Sequence, residues 1–178
     1  MKTKATSTAI LIVIGLFLTH LSYSQNKKYD PEKAQEAITE FRNTDKGLAR
    51  FFQSSYGYAV FPSVGKGAIG IGGASGRGVV YKGGQAIGGV NLKQVSIGFQ
   101  LGGQVYREII FFENADTFQR FIANEFQFAA QVSAVALKSG ISADARYTDG
   151  VAVFTMAKGG LMYEASVGGQ RFKFKPFK

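Results

Sequence analysis

The stretch from Gly57 to Gly103 constrains the fold most strongly, because it holds 15 of the 23 glycines of the chain. These glycines follow no three-residue period, and Pro62 is the only proline among them, so a collagen-like triple helix is excluded. They are interleaved with valine, isoleucine, phenylalanine and tyrosine. Because glycine permits bulges, tight turns and close backbone approach, the stretch predicts short, strongly bent strands.

Alternation of apolar with polar or small residues predicts further strands, separated by glycine-containing turns. They cover residues 95–101, 105–112, 151–157, 161–167 and 170–175. In the last of these, Phe172 and Phe174 point to one side. Arg171, Lys173 and Lys175 point to the other side, so this strand has one apolar and one cationic face.

Helices are predicted before and between the strands. Asp30 and Pro31 are a typical N-cap and first helical residue. An apolar stripe at helical spacing follows, formed by Ala34, Ala37, Ile38 and Phe41. Such a stripe packs on a core or lies on a membrane. Shorter helices are expected from Asp45 to Gln53 and after Asn114. The predicted fold is therefore a single α+β domain with a glycine-rich, strongly curved antiparallel sheet, an N-terminal amphipathic helix and one or two further helices.

Residues 1–24 have the pattern of a secretory signal peptide. Lys2 and Lys4 precede a ten-residue apolar run from Ala9 to Leu18, and small residues flank a cleavage position after Ser24. Ten apolar residues are too few for a membrane span, which needs about 20. We therefore expect a mature domain of residues 25–178 that is periplasmic or secreted.

The composition excludes most catalytic chemistry. The chain has no cysteine, and its one histidine, His20, lies in the predicted signal, so thiol or imidazole catalysis and Cys/His zinc sites are excluded from the mature domain. The glycine clusters lack the spacing of a phosphate-binding loop, because Val60 occupies its first glycine position and Gly67 follows Lys66 where serine or threonine is required. The acidic residues are scattered. We expect no enzyme, no nucleotide, no cofactor and no metal site.

The distribution of charge points to an anionic partner. Without residues 1–24 the chain keeps 19 basic and 12 acidic side chains, a net charge of +7. No acidic residue lies between Asp45 and Glu108, and none follows Glu164. For an exported protein, such basic stretches favour a lipid head group or cell-surface polymer over nucleic acid, although ordinary solvated charges would give the same pattern.

Three glycine-rich blocks resemble the signatures of the SYLF lipid-binding domain family, in the order of that family. The blocks lie at residues 57–80 (beginning GYAVFPSVGKG), 96–104 (SIGFQLGGQ) and 160–170 (beginning GLMYE). Together they place the resemblance over about residues 31 to 178. Ala68 stands where many relatives have a second glycine, and the cysteine that carries lipid in lipoprotein members is missing.

The resemblance implies a phospholipid-binding module rather than an enzyme. Eukaryotic relatives bind phosphoinositides with the help of an amphipathic helix, and some bind or bundle actin, which we do not expect of an exported bacterial-type protein. We therefore expect peripheral binding to anionic phospholipid. The predicted binding residues are four basic side chains and three apolar helix residues: Lys66, Arg77, Lys82, Lys93, Ala34, Ile38 and Phe41.

The sequence is also compatible with two other functions. A signal peptide with aromatic, glycine-rich alternating strands also suits a small outer-membrane β-barrel of about eight strands. The same features suit an envelope scaffold protein without a lipid ligand.

Overall fold

The computed structural model describes residues 28–69, 71–97, 104–129, 132–158 and 165–178. Within them the chain forms three α-helices, eight strands and short 3₁₀ helices at Lys46–Leu48 and Ile141–Ala143. The elements are α1 (Pro31–Thr44), α2 (Ala49–Ser54), β1 (Gly57–Ile69), β2 (Ile71–Lys82), β3 (Gln85–Ile97), β4 (Gln104–Phe112), α3 (Ala115–Ile122), β5 (Ser133–Ala136), β6 (Val151–Ala157), β7 (Ala165–Ser166) and β8 (Arg171–Pro176). The predicted signal peptide lies outside the described residues, as do parts of the strands predicted at 95–101 and 161–167.

Helices α1 and α3 begin at their predicted caps. The Asp30 side chain accepts a hydrogen bond from the Lys33 backbone N–H at 3.1 Å, and Pro31 takes the first helical position. Asn114 accepts from the Thr117 N–H at 3.0 Å in the same way. Such caps satisfy N–H groups that the first helical turn leaves without a partner, so both helix starts are specified locally.

The eight strands form one open sheet in the order β7-β5-β6-β4-β1-β2-β3-β8. The α+β class is confirmed, but the sheet is mixed rather than antiparallel, because β5 and β6 run parallel through the pair Val135 and Phe154. The prediction was wrong at this pair. The connection through residues 137–150 is long enough to return the chain to the same end of the sheet, as a parallel pair requires, whereas the antiparallel strands β1, β2 and β3 follow one another along the chain with at most two residues between them.

Each face of the sheet buries its own apolar core. On the first, the α1 face, helices α1 and α2 cover a set that includes Val60, Val79, Tyr81, Ile109, Phe111 and Phe154. On the second, the α3 face, helix α3 covers a set that includes Phe61, Val64, Val80, Leu92, Ile110, Phe112 and Phe172. Successive residues of a strand point to opposite faces, so these two sets fix the side on which the neighbouring polar residues lie.

A β-bulge in β1 reverses this alternation. The register of β1 shifts between Val60 and Ser63 against β2, and between Phe61 and Val64 against β4. Val60 therefore packs on the α1 face, while Val64, four residues later, packs on the α3 face. Two residues of the bulged strand oppose one residue of the partner in such a bulge.

None of the helices in the described residues combines the length and the apolar character needed to cross a membrane.

Candidate functional site: a basic groove on strands β2, β3 and β8

The α1 face carries two rows of polar and basic residues across β2, β3 and β8, beyond the part that α1 covers. In one row Arg77 pairs with Asn91, which pairs with Lys173. In the next row Ser75 pairs with Lys93, which pairs with Arg171. Neighbouring strands lie about 4.8 Å apart, so side chains distant in sequence are brought together on one surface.

The N-terminus of α1 closes one side of this surface and adds further charge. The resulting groove has a volume of about 970 Å³. Seven exposed basic residues line this groove, which we call the basic groove: Lys28, Lys33, Arg77, Lys93, Arg171, Lys173 and Lys175. Among the described residues that line the groove, Asp30 is the one acidic side chain, and it forms an ion pair with Lys33 at 3.5 Å.

The charge pattern of the groove is unfavourable for folding. Lys93 and Arg171 are directly opposite each other on adjacent strands, and like charges in this arrangement destabilise a sheet. Arg171 Nε donates a hydrogen bond to Gln127 Oε1 at 3.0 Å. Because the glutamine amide is neutral, this contact does not neutralise the charge of Arg171. A bound anion would relieve this repulsion.

Tyr29, which lies just before α1, packs on strand β3. Its ring lies directly on the backbone of Gly89, where a Cβ would come within 2.2 Å of the ring. Its hydroxyl accepts a hydrogen bond from Asn91 Nδ2 at 2.9 Å. Glycine at position 89 thus allows the aromatic ring to anchor the segment before α1 to β3, and this positions Lys28 and Lys33 beside the strands.

Of the four predicted basic residues, the groove brings together Arg77 and Lys93 but not Lys66 and Lys82. Lys66 follows the bulge and lies, like Val64, on the α3 side of β1. Lys82 lies near the turn at the far end of β2, with its Nζ 4.9 Å from the centroid of the Tyr56 ring. The predicted set therefore divides between two faces of the sheet.

The three predicted apolar residues of α1 lie in the core. Ala34, Ile38 and Phe41 are at most 3% exposed and pack on the α1 face of the sheet. Of the two uses of such a stripe, packing is the one observed in this folded state. Helix α1 therefore contributes to the surface through its N-terminal Lys33 and not through its apolar side.

Five of the seven basic groove residues were not among the predicted binding residues. Arg171, Lys173 and Lys175 were recognised as the cationic face of the last strand, but nothing local indicated that this strand pairs with β3. Lys28 and Lys33 had no comparable signal. The acid-free tail was the available indication for the first three.

A second polar cluster is buried inside the α3 face. Glu108 and Gln170 are fully buried, and Gln170 Nε2 donates to Glu108 Oε2 at 3.0 Å. Thr155, also fully buried, is the cross-strand neighbour of Glu108 on β6. Burial raises the pKa of Glu108 to about 8, although the hydrogen bond from Gln170 acts in the opposite direction. A carboxyl group in this environment is favoured in its neutral form.

The described residues contain no group of three or more His, Cys, Asp or Glu side chains that could hold a metal ion. The buried cluster has one carboxyl group, and the groove has basic side chains, which repel cations.

Fold and site together define an α+β domain with one strongly basic face. Residues 93–176 match the family model Ysc84, which is described as Las17-binding protein actin regulator. Ysc84 corresponds to the SYLF domain, so the family resemblance drawn from the sequence is confirmed.

A curated relative extends the similarity towards the N-terminus. Over 143 residues the chain is 27% identical to Beta cell expansion factor A of Aeromonas veronii. The alignment covers 78% of this chain and 53% of that relative, so this chain spans about half of the length of the relative it matches.

Proposed function

We propose that this is an exported lipid-binding protein that associates peripherally with anionic phospholipid through the basic groove. The proposal rests on one observation: the described residues that line a single groove include seven basic side chains and only one acidic side chain. Export to the periplasm or cell exterior, with cleavage near Ser24, rests on the pattern of residues 1–24.

The groove has enough charge for reversible membrane binding. Each lysine or arginine near an anionic bilayer contributes about 1 kcal/mol. If about five groove residues reach the surface, the attraction is on the order of 5 kcal/mol, which corresponds to weak and reversible binding. Because the Debye length is about 8 Å at physiological ionic strength, this attraction decreases strongly with added salt.

Family membership supports a binding role rather than catalysis. The SYLF family is associated with lipid or actin-related binding, and the predicted mature domain has neither cysteine nor histidine. We extend the lipid association to this chain because the basic groove supplies the matching charge. An envelope scaffold role, in which the same face binds an acidic protein, is an outcome that the experiment below distinguishes.

The test is co-sedimentation of residues 25–178, without detergent, with anionic and neutral liposomes at low and high salt. We expect binding to anionic vesicles only, and release at high salt. A variant with Arg77→Gln, Lys93→Gln and Lys173→Gln should bind much more weakly.

The matched control removes three charges elsewhere, with Lys46→Gln, Lys138→Gln and Lys158→Gln, all exposed residues that do not line the groove. It should bind like the unmodified protein. Equal losses in both triple variants would indicate an effect of net charge and not of the groove. If the unmodified protein stays in the supernatant throughout, phospholipid binding is refuted for this chain and a protein partner should be sought.

A further inference from the structure

The α1 face changes from basic to apolar towards the ends of strands β1, β2 and β3. The row that contains Lys93 and Arg171 continues across the sheet through Ser75 and Gly65 to Val105. Val95 lies two residues beyond Lys93 on the same side of β3. Charged and apolar side chains are thus neighbours on one continuous surface.

Val95 is 73% exposed and Val105 is 46% exposed, although both belong to strands with buried neighbours. Val95 begins a separate row, in which it pairs with Gly73 on β2, and Gly73 pairs with Gly67 on β1. The positions beside Val95 on β2 and β1 are therefore glycines. The positions where Gly65 and Gly67 would carry a Cβ face open space. The surface around the valines therefore consists of bare backbone, which lets a flat apolar partner approach closely.

Two register positions beyond the row of Val95, Gly73 and Gly67, the paired positions are Ile69, Ile71 and Ile97. All three are apolar residue types at the last register position of their strands. The sequence therefore becomes more apolar towards the strand ends, in the direction away from α1.

The spacing fits the interface of a bilayer. Two residues of a strand span about 7 Å, and interfacial protein segments bury their apolar side roughly 5–10 Å into the boundary between head groups and acyl chains. With Lys93 and Arg171 at the level of the phosphates, Val95 would lie at the level of the upper acyl chains.

We propose that this end of the sheet is the membrane-inserting edge, with Val95 in the bilayer interface and the row from Arg171 through Lys93 to Val105 at the level of the head groups. The proposal rests on the phospholipid binding proposed above and adds its orientation. The occupant is an anionic bilayer, because the basic row and the apolar row together complement a surface that is charged outside and apolar beneath.

The absence of cysteine from the chain permits a direct test. Val95→Cys in the full mature chain is labelled with the environment-sensitive fluorophore NBD. The control is Ala86→Cys, an exposed position near the other end of β3, about 30 Å along the strand. With anionic vesicles, the label at position 95 should shift its emission to the blue and become protected from iodide. The label at position 86 should do neither.

Co-sedimentation of the same samples separates the two proposals. If the protein binds anionic vesicles while the label at position 95 stays accessible to iodide, the inserting edge is refuted and peripheral binding stands. If the protein does not bind the vesicles, both proposals fail.

A charge-neutral variant provides a second measure. Val95→Ser should weaken vesicle binding about tenfold, since burial of the valine side chain in the bilayer interface is lost. Retention on a phosphocellulose column should be unchanged, because the basic groove is intact. An unchanged vesicle affinity would overturn the proposal.

Discussion

Gln170 Nε2 donates a hydrogen bond to Glu108 Oε2 at 3.0 Å, and both side chains are fully buried. Gln170 lies directly before β8, while Glu108 lies on β4 near the centre of the sheet. This contact therefore links the start of the strand that carries Arg171, Lys173 and Lys175 to the interior of the α3 face. Among the residues that the structure describes, the other oxygen, Glu108 Oε1, has no hydrogen-bond partner, and neither do Thr155 Oγ1 and Gln170 Oε1.

Glu108 should make stability fall as the pH rises. Its pKa is about 8 in the folded state against 4.5 for the unperturbed group, so the folded state holds a proton that the unfolded state releases. This stabilisation is fully present below about pH 4.5 and is lost as the pH rises to about 8. Between these values the slope should approach 1.4 kcal/mol per pH unit at most.

The measurement is urea denaturation from pH 5 to pH 9 for the unmodified protein and Glu108→Gln. The variant mimics the neutral carboxyl group, so its stability should depend much less on pH and should equal or exceed that of the unmodified protein near pH 8. Identical pH profiles for the two proteins would contradict a neutral Glu108.

The two pairs of predicted basic residues should differ in their effect on membrane binding. Arg77→Gln with Lys93→Gln removes two charges from the basic groove and should weaken binding to anionic liposomes by about tenfold to thirtyfold. Lys66→Gln with Lys82→Gln removes the same charge from the other side of the sheet and should have a much smaller effect. Liposome titration of both double variants checks this. The reverse ranking would place the lipid surface on the α3 face.

Asp45 should be important for stability, because it joins two distant segments. Its Oδ1 accepts from the Gly47 N–H at 2.9 Å and its Oδ2 from the Ser142 N–H at 2.8 Å, and the residue is buried. Asp45→Ala leaves two donors without partners and should cost about 2 kcal/mol of unfolding free energy. Asp144→Ala, at an exposed position, should change stability by less than about 0.5 kcal/mol. Thermal and urea unfolding would measure both, and equal stabilities would show that the two contacts do not matter.

Two glycines of the α1 face should respond differently to alanine. A Cβ at Gly89 would lie within 2.2 Å of the Tyr29 ring, whereas a Cβ at Gly67 meets nothing within 4 Å. Gly89→Ala should therefore displace Tyr29, break its contact with Asn91 and cost about 1 to 3 kcal/mol. Gly67→Ala should be neutral or slightly stabilising. If urea denaturation gives equal stabilities for both variants, Tyr29 is not packed on Gly89 in solution.

Helix starts and individual strands were predicted well, because each depends on residues that are close together in the sequence. The caps Asp30 and Asn114 set the starts of α1 and α3, and the alternation at 105–112 and 151–157 gave strands β4 and β6 within about one residue. These features depend on side chains and backbone groups only a few residues apart. The parallel pairing of β5 with β6 depends on where a 14-residue connection returns, and the alternation pattern contains no information about that.

The candidate site was predicted only in part, for a similar reason. Lys66 and Arg77 belong to the same acid-free stretch of sequence and were predicted to share one binding surface. The bulge after Val60 instead places Lys66 on the opposite side of the sheet from Arg77. Without that bulge, strict alternation from Val60 would have placed Lys66 on the α1 face. A bulge adds one unpaired residue and leaves no fixed mark in the sequence.

By itself, the sequence determined the α+β class, the family resemblance and the presence of basic, acid-free stretches of chain, because these follow from local periodicity, motifs and composition. The tertiary structure alone decided which cations share a groove. Pairing of Lys93 with Arg171 and of Asn91 with Lys173 joins positions about 80 residues apart, and the packing of Tyr29 on Gly89 brings the start of α1 beside them. Long-range pairing and strand facing are properties of the whole sheet, and no short segment of the chain specifies them.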